Sequence, residues 1–243
     1  MNIAVDFGNT SVKAGYFDHD TFHGMISATG PVELIRIINE NLDSKVVMST
    51  VNSDAIHFVN LIENKDRLLI LKQDTPIPIQ NLYTSPATLG SDRLAAAIAA
   101  AHLYPHRHCL VIDAGTCITY DYLSSAGEYH GGSISPGVGL RFKALHQFTG
   151  ALPLIAQPYT DYDVSQYCGQ DTTTSIMSGV LQGAIGEMTY FIDIYKKKYP
   201  DITIIITGGN HHFFESRILH AIFAVPELIL IGLNRVLIYN ELR

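Results

Sequence analysis

Two passages about half a chain apart share one local grammar, and this repeat constrains the fold more than any other feature of the 243-residue chain. Ile3-Ala4-Val5 leads into Asp6-Phe7-Gly8-Asn9-Thr10, after which Val12 to Phe17 is strand-like again. Cys109 to Ile112 leads into Asp113-Ala114-Gly115-Thr116, and Cys117-Ile118-Thr119 resumes a strand. An apolar run, an acid, a glycine-bearing turn with hydroxyls and a second apolar run describe a β-hairpin with free amides at its tip. Alone, the first passage is equally a plain hairpin turn. Its repetition implies two related lobes, each offering a turn to one ligand. Glycine lets backbone approach an anion closely, and successive turn amides converge on it. A carboxylate facing phosphates needs a cation between the two, for which Mg2+ is the usual choice. A ligand with several phosphates held between two lobes is most simply a nucleoside triphosphate.

Between and after the hairpins the chain alternates helix and strand, the pattern of an α/β fold with crossover connections. Helices are expected at Pro31–Asn41, Ala55–Glu63, Leu94–Leu103, Val138–Phe148, Ile176–Tyr199 and Leu228 to about Leu242. Strands are expected at His19–Met25, Val46–Val51, Leu68–Leu71 and Ile202–Thr207. Asp74–Pro86 and Leu152–Gln170 read as irregular. Gly90-Ser91-Asp92-Arg93 opens the Ala-rich helix, with Ser91 or Asp92 available as its cap and the helix N-terminus favouring an anion. One of Thr172, Thr173 and Thr174 reads as the cap of the long helix. Gly131-Gly132 and Pro136-Gly137 require close backbone approach, either to a ligand or to a packed strand. The Gly208-Gly209 pair falls at the carboxyl end of a strand, where open α/β sheets bind ligands.

Net charge of −7 and a pI near 5.8 argue against a nucleic-acid surface. The chain has no run of about 20 apolar residues and no secretory leader, so neither a membrane nor export is expected and the cytoplasm is. The three cysteines, Cys109, Cys117 and Cys168, lack paired spacing and read as reduced thiols, chiefly small buried hydrophobes. His102, His106 and His108 read as a solvated junction. His211 and His212 read as surface polar groups rather than a metal pair, because adjacent side chains diverge on most backbones. Lys196-Lys197-Lys198 marks the solvated end of a helix.

Taken in order, Asp6-x-Gly8-Asn9-Thr10, Gly90-x-Asp92-Arg93, Asp113-x-Gly115-Thr116 with Thr119, Gly131-Gly132-x-Ile134-x-Pro136-Gly137 and Thr207-Gly208-Gly209 resemble the type III pantothenate kinases over nearly the whole chain. Cys117 replaces a frequent Ala and Ala96 a frequent Asn. The resemblance implies two actin-like (ribonuclease H-like) lobes, residues 1–106 and 107–243, each a mixed sheet flanked by helices, with the active site in the interlobe cleft. It implies ATP-dependent phosphorylation of pantothenate to 4'-phosphopantothenate, the first step of coenzyme A biosynthesis, by a homodimer. By the same resemblance Asp6, Phe7, Gly8, Asn9, Thr10, Ser11, Val12, Lys13 and Thr116 hold the ATP phosphates. Asp6 faces Mg2+, directly or through water, and Asp113 holds a monovalent cation, K+ or NH4+. Asp92 accepts the proton, and Tyr83, Gly90, Ser91, Asp92, Arg93 and Thr172 line the pantothenate site. Arg93 either pairs with the substrate carboxylate or orients Asp92. A non-catalytic nucleotide-binding scaffold would have no use for Asp6, Asp92 and Asp113 together.

Overall fold

The computed structural model describes residues 1–243 except 9–11, 29, 51–58 and 157–158. The first hairpin's tip at Asn9, Thr10 and Ser11, the strand end at Asn52-Ser53-Asp54 and the first four residues of the helix expected at Ala55–Glu63 lie outside the described residues. Two sheets form. In the first, β1 (Asn2–Phe7), β2 (Val12–Asp18), β3 (Thr21–Ala28), β4 (Lys45–Thr50) and β5 (Leu68–Ile70) take the order β3-β2-β1-β4-β5. The first three are antiparallel, while β4 and β5 add in parallel. The second contains β6 (Gln80–Asn81), β7 (Cys109–Ala114), β8 (Cys117–Leu123), β9 (Glu128–Pro136), β10 (Thr203–Thr207) and β11 (Phe223–Ala224), in the order β11-β10-β7-β8-β9-β6. Its inner run β9-β8-β7-β10-β11 repeats β3-β2-β1-β4-β5 strand for strand, the duplication that the paired hairpins imply.

The chain packs as two compact units, Met1–Val111 with Asp121–Gly131 and Glu227–Arg243, and Ile112–Tyr120 with Gly132–Pro226. In the first, period-two alternation along β1 sorts its side chains. Ile3, Val5 and Phe7 join Val46, Met48 and the Leu34, Ile35 and Ile38 stripe of α1 (Pro31–Glu40) in one core. The alternate residues, Asn2, Ala4 and Asp6, face the other side. There Asn2 donates to the buried Asn234 of α6 (Leu228–Glu241) at 2.9 Å. Helix α2 (Ser91–Leu103) is buried along most of its length and packs on α6 so closely that a Cβ on Gly232 would collide with the Ala95 backbone.

The second unit holds α3 (Val138–Gln147), the long α4 (Thr172–Lys198) and the short α5 (His211–Glu215). Asp171, rather than a threonine, caps α4: it accepts from the Thr174 amide at 2.8 Å, and the Thr174 hydroxyl accepts from the Asp171 amide at 3.1 Å. The reciprocal pair starts the helix four residues earlier than the apolar period does. The basic run Lys196–Lys198 does close that helix.

Several expectations are corrected. The Asp74–Pro86 segment is not wholly irregular, since Gln80 and Asn81 pair in parallel with β9 through main-chain bonds that side-chain periodicity does not encode. Cys117 and Cys168 are exposed and only Cys109 is buried, although all three are free thiols. His108 is tied into structure, its Nδ1 lying 2.8 Å from the Tyr122 hydroxyl. His211 is buried, and its ring lies 3.8 Å from that of His212 instead of diverging from it.

Replacing Gly232 with Ala should destabilise the protein by about 1–3 kcal/mol, the usual penalty for forcing a methyl into a packed interface. Urea unfolding is the check, and an unchanged midpoint would show that α2 and α6 have room to separate.

Candidate active site

The alternation that puts Asp6 on the α2 side of its sheet decides the geometry of the first unit. Asp6 sits at the carboxyl end of β1, opposite Lys13 on β2 and Ser49 on β4. Ser49, fully buried, donates its hydroxyl to Asp6 Oδ1 at 2.6 Å. Burial is the main reason the Asp6 carboxyl is pushed up to about 6; the negative field of Asp92 adds to it, while the Ser49 bond and Lys13 work against it. Two acids from distant parts of the sequence therefore share one low-water environment.

Asp92 stands in the first turn of α2, whose cap residue Gly90 offers no side chain. The carboxylate folds back over Gly90 and accepts the Arg93 amide at 2.8 Å, and a Cβ on Gly90 would strike Asp92 Oδ1. Burial raises the Asp92 carboxyl above its ordinary range, opposed by that amide, with Asp121 raising it further. Arg93, left by sequence with two possible roles, has a third partner. Its Nε reaches Asp121 at 3.0 and 3.2 Å and its Nη2 at 2.6 Å, in a pair that is 7% and 1% exposed. The Tyr129 hydroxyl donates to the same carboxylate at 2.7 Å, and the guanidinium lies 5.7 Å from the centre of the Tyr83 ring. Tyr83 in turn lies over Gly131, where φ is +84° and a Cβ would come within 2.6 Å of the ring. The close approach that the Gly131-Gly132 pair demands is thus made by an aromatic side chain, because β6 delivers Tyr83 beside β9.

In the second unit the turn between β7 and β8 is Gly115-Thr116, with Thr116 exposed and Asp113 half-buried at the strand's end. Gly208, at φ +90°, packs so tightly on the Asp113 carboxylate and the Ala114 backbone that no side chain fits. Gly137 meets the Gly115 and Thr116 carbonyls in the same way and donates its amide to Thr116 O at 3.0 Å. Two glycine-dependent approaches, at Gly137 and Gly208, therefore shape one acid-bearing turn. Thr172, exposed at the start of α4, lines an open cavity of about 1040 Å3 with Arg141, Leu145, Phe148 and Ile176.

The structure thus groups Tyr83, Gly90, Ser91, Asp92 and Arg93 with Asp6, Phe7, Gly8, Val12 and Lys13 in one unit, and Asp113, Thr116 and Thr172 in the other. Ser49, Asp121 and Tyr129 are the polar partners that sequence reasoning missed. For Ser49 and Asp121 the only signal was a hydroxyl or an acid inside an otherwise apolar run.

A family model described as type III pantothenate kinase matches residues 2–193. The chain belongs to the type III pantothenate kinase family. A Bacteroides fragilis protein named type III pantothenate kinase is 40% identical over 99% of both chains. Among solved structures, a conserved Campylobacter jejuni protein named for the Baf family of transcriptional activators is similar at TM-score 0.66 and 21% identity, covering 99% of this chain and 100% of that one. The (R)-2-hydroxyglutaryl-CoA dehydratase component A of Acidaminococcus fermentans is similar at TM-score 0.55 and 12% identity, over 98% and 96% of the two chains. These two likenesses concern the fold alone, a mixed α/β fold with two sheets. As a type III pantothenate kinase, the chain is a phosphotransferase that uses ATP to phosphorylate pantothenate in coenzyme A biosynthesis. No helix among the described residues is long and apolar enough to cross a membrane.

Asp121→Asn should leave the buried Arg93 guanidinium short of its counter-charge and cost about 3–5 kcal/mol. Chemical denaturation measures this, and a loss under about 1 kcal/mol would mean that Arg93 finds another partner.

Proposed function

We propose that Asp92 accepts the proton of the pantothenate primary hydroxyl as that oxygen attacks the terminal phosphate of ATP. The observation that supports this reading most directly is the placement of Asp92 and Asp6 in one buried environment, at the start of α2 and the carboxyl end of β1. An alcohol becomes a competent nucleophile as its proton leaves, and a carboxyl raised by burial is a better acceptor than an ordinary one. The Asp6–Lys13 hairpin and Thr116 would contact the phosphates through turn amides and hydroxyls, and the Lys13 ammonium offsets phosphate charge. Tyr83, Gly90, Ser91 and Thr172 would line the pantothenate site. Arg93, anchored by Asp121, holds Asp92 and Tyr83 in place from behind.

The donor set fits a hard divalent cation. Asp6 is a desolvated carboxyl with one oxygen already bonded by Ser49 and a second acid's field upon it, and a bound cation would relieve both penalties. Mg2+ held near Asp6, in part through water, supplies charge neutralisation of the phosphates. Asp113, an acid pressed between glycines among backbone carbonyls, suits K+ or NH4+. We place the enzyme in the cytoplasm as a homodimer. In support of a dimer, Phe148 is 79% exposed on the rim of the cavity that Thr172 lines.

Asp92→Asn should lower kcat by roughly 100-fold to 10,000-fold in a coupled assay with ATP, Mg2+, K+ and pantothenate, with an unchanged circular dichroism spectrum. Turnover close to the parent's would remove Asp92 from this role. The pH profile gives a second check. A raised acid is neutral below its pKa, and the reaction needs Asp6 as an anion, so kcat/KM should be intact above and fall as pH drops through about 6. An acid limb near 4 would show that Asp6 is solvated or cation-bound in the working enzyme. Stability of the metal-free protein runs the opposite way. The folded state holds the Asp6 proton more tightly than the unfolded chain, so this contribution is present at low pH and is lost as pH rises through about 6.

A further inference from the structure

We propose that His211, His212 and Glu215, on helix α5 of the second unit, form a binding site for one transition-metal ion of the Zn2+ class, separate from the Mg2+ and monovalent-cation positions of the kinase reaction. His211 is only 6% exposed. Its Nδ1 lies 2.7 Å from the Gly208 carbonyl oxygen. A carbonyl only accepts, so Nδ1 carries the ring proton and donates it, and Nε2 is left with a lone pair. That Nε2 is buried and has no hydrogen-bond partner among the described residues. A buried acceptor without a partner costs free energy, and a backbone carbonyl on one ring nitrogen is the arrangement that sets an imidazole to bind metal through the other.

The neighbours supply the remaining ligands. The ring of His212 lies 3.8 Å from that of His211, and its Nδ1 is 3.8 Å from Glu215 Oε2. One ligand atom from each of the three residues falls within 4.8 Å of the other two. Donors around a tetrahedral Zn2+ with bonds near 2.0–2.1 Å sit about 3.4 Å apart, so the cluster is open by roughly 1 Å. His212 and Glu215 are 80% and 45% exposed, which leaves them free to rotate inward and leaves an entry path for the ion. Two imidazoles and a carboxylate favour Zn2+, Co2+ or Ni2+ over Mg2+ or Ca2+, which take oxygen ligands, and water would complete the fourth position. The plain alternative is a surface His212–Glu215 ion pair beside a packed His211. It accounts for the exposed pair but leaves the orphaned nitrogen and its fixed tautomer without a purpose.

The position has a mechanical link to the nucleotide side of the unit. Asn210, immediately before α5, donates its amide to the Ala114 carbonyl at 2.9 Å, and its side-chain oxygen accepts from the Tyr159 hydroxyl at 2.7 Å. An ion on α5 would therefore brace the segment that is clamped to the Asp113-bearing turn.

The test is titration of Co2+ into chelator-treated full-length protein, following the ligand-field absorption of four-coordinate Co2+ and its displacement by Zn2+. One equivalent should bind, Zn2+ should abolish the band, and excess Mg2+ should not. Because His212 and Glu215 are exposed, His212→Ala and Glu215→Gln should keep the metal-free melting temperature while weakening Co2+ binding about 10-fold or more each. Absence of the band, displacement by Mg2+, or unchanged Co2+ affinity in both variants would overturn the site. Kinase activity enters none of these readouts, so the result is independent of the roles assigned to Asp6, Asp92 and Asp113.

Discussion

The first unit depends on a guanidinium and a carboxylate buried together. Arg93 and Asp121 come from the first turn of α2 and from the middle of β8, and both are almost wholly removed from water. Such a pair is tolerated only when geometry is good and further bonds satisfy the charges. Here two guanidinium nitrogens meet the carboxylate, the Tyr129 hydroxyl adds a third bond and the Tyr83 ring covers the cation. The rewards are positional, since Arg93 directly follows Asp92 in the chain. Fixing the arginine fixes the start of α2, and with it the aspartate whose carboxylate lies in the environment of Asp6.

The second unit brings close-packed glycines to a similar positioning problem. Gly137 and Gly208 let two stretches of backbone converge on the end of β7, where any side chain would collide. Close-packed main chain places Asp113 as firmly as an ion pair places Asp92. It also leaves carbonyl oxygens and an exposed hydroxyl, Thr116, around the acid. Duplicated topology has thus diverged in its means: hydroxyl and ion-pair support in one copy, glycine packing in the other.

Much of this was legible in the residues. The twin acid-and-glycine turns announce the duplicated strand order, and period two along β1 places Asp6 on the side opposite Ile3 and Val5. What stayed hidden is long-range pairing. Nothing local distinguishes Ser49 or Asp121 from other polar residues in strands, because their meaning lies in partners 43 and 28 positions away. The two-residue β6 escaped because main-chain pairing leaves no side-chain period. The helix start at Asp171 was passed over for its threonine neighbours, although the capping box uses one of them as its second half. His211 was misread because the general divergence of adjacent side chains yields here to a hydrogen bond with Gly208.

The close seat of Gly232 against Ala95 bears on how the protein is made. Helix α6 supplies a wall for both α2 and β1, yet residues 227–243 are synthesised after the whole second unit. At ribosomal speeds of about 5–20 residues per second, the strands and α2 of the first unit wait on the order of 10 s for their covering helix. During that interval the Ala-rich face of α2 is an adhesive surface, and holdase chaperones that act on nascent chains have a defined target there.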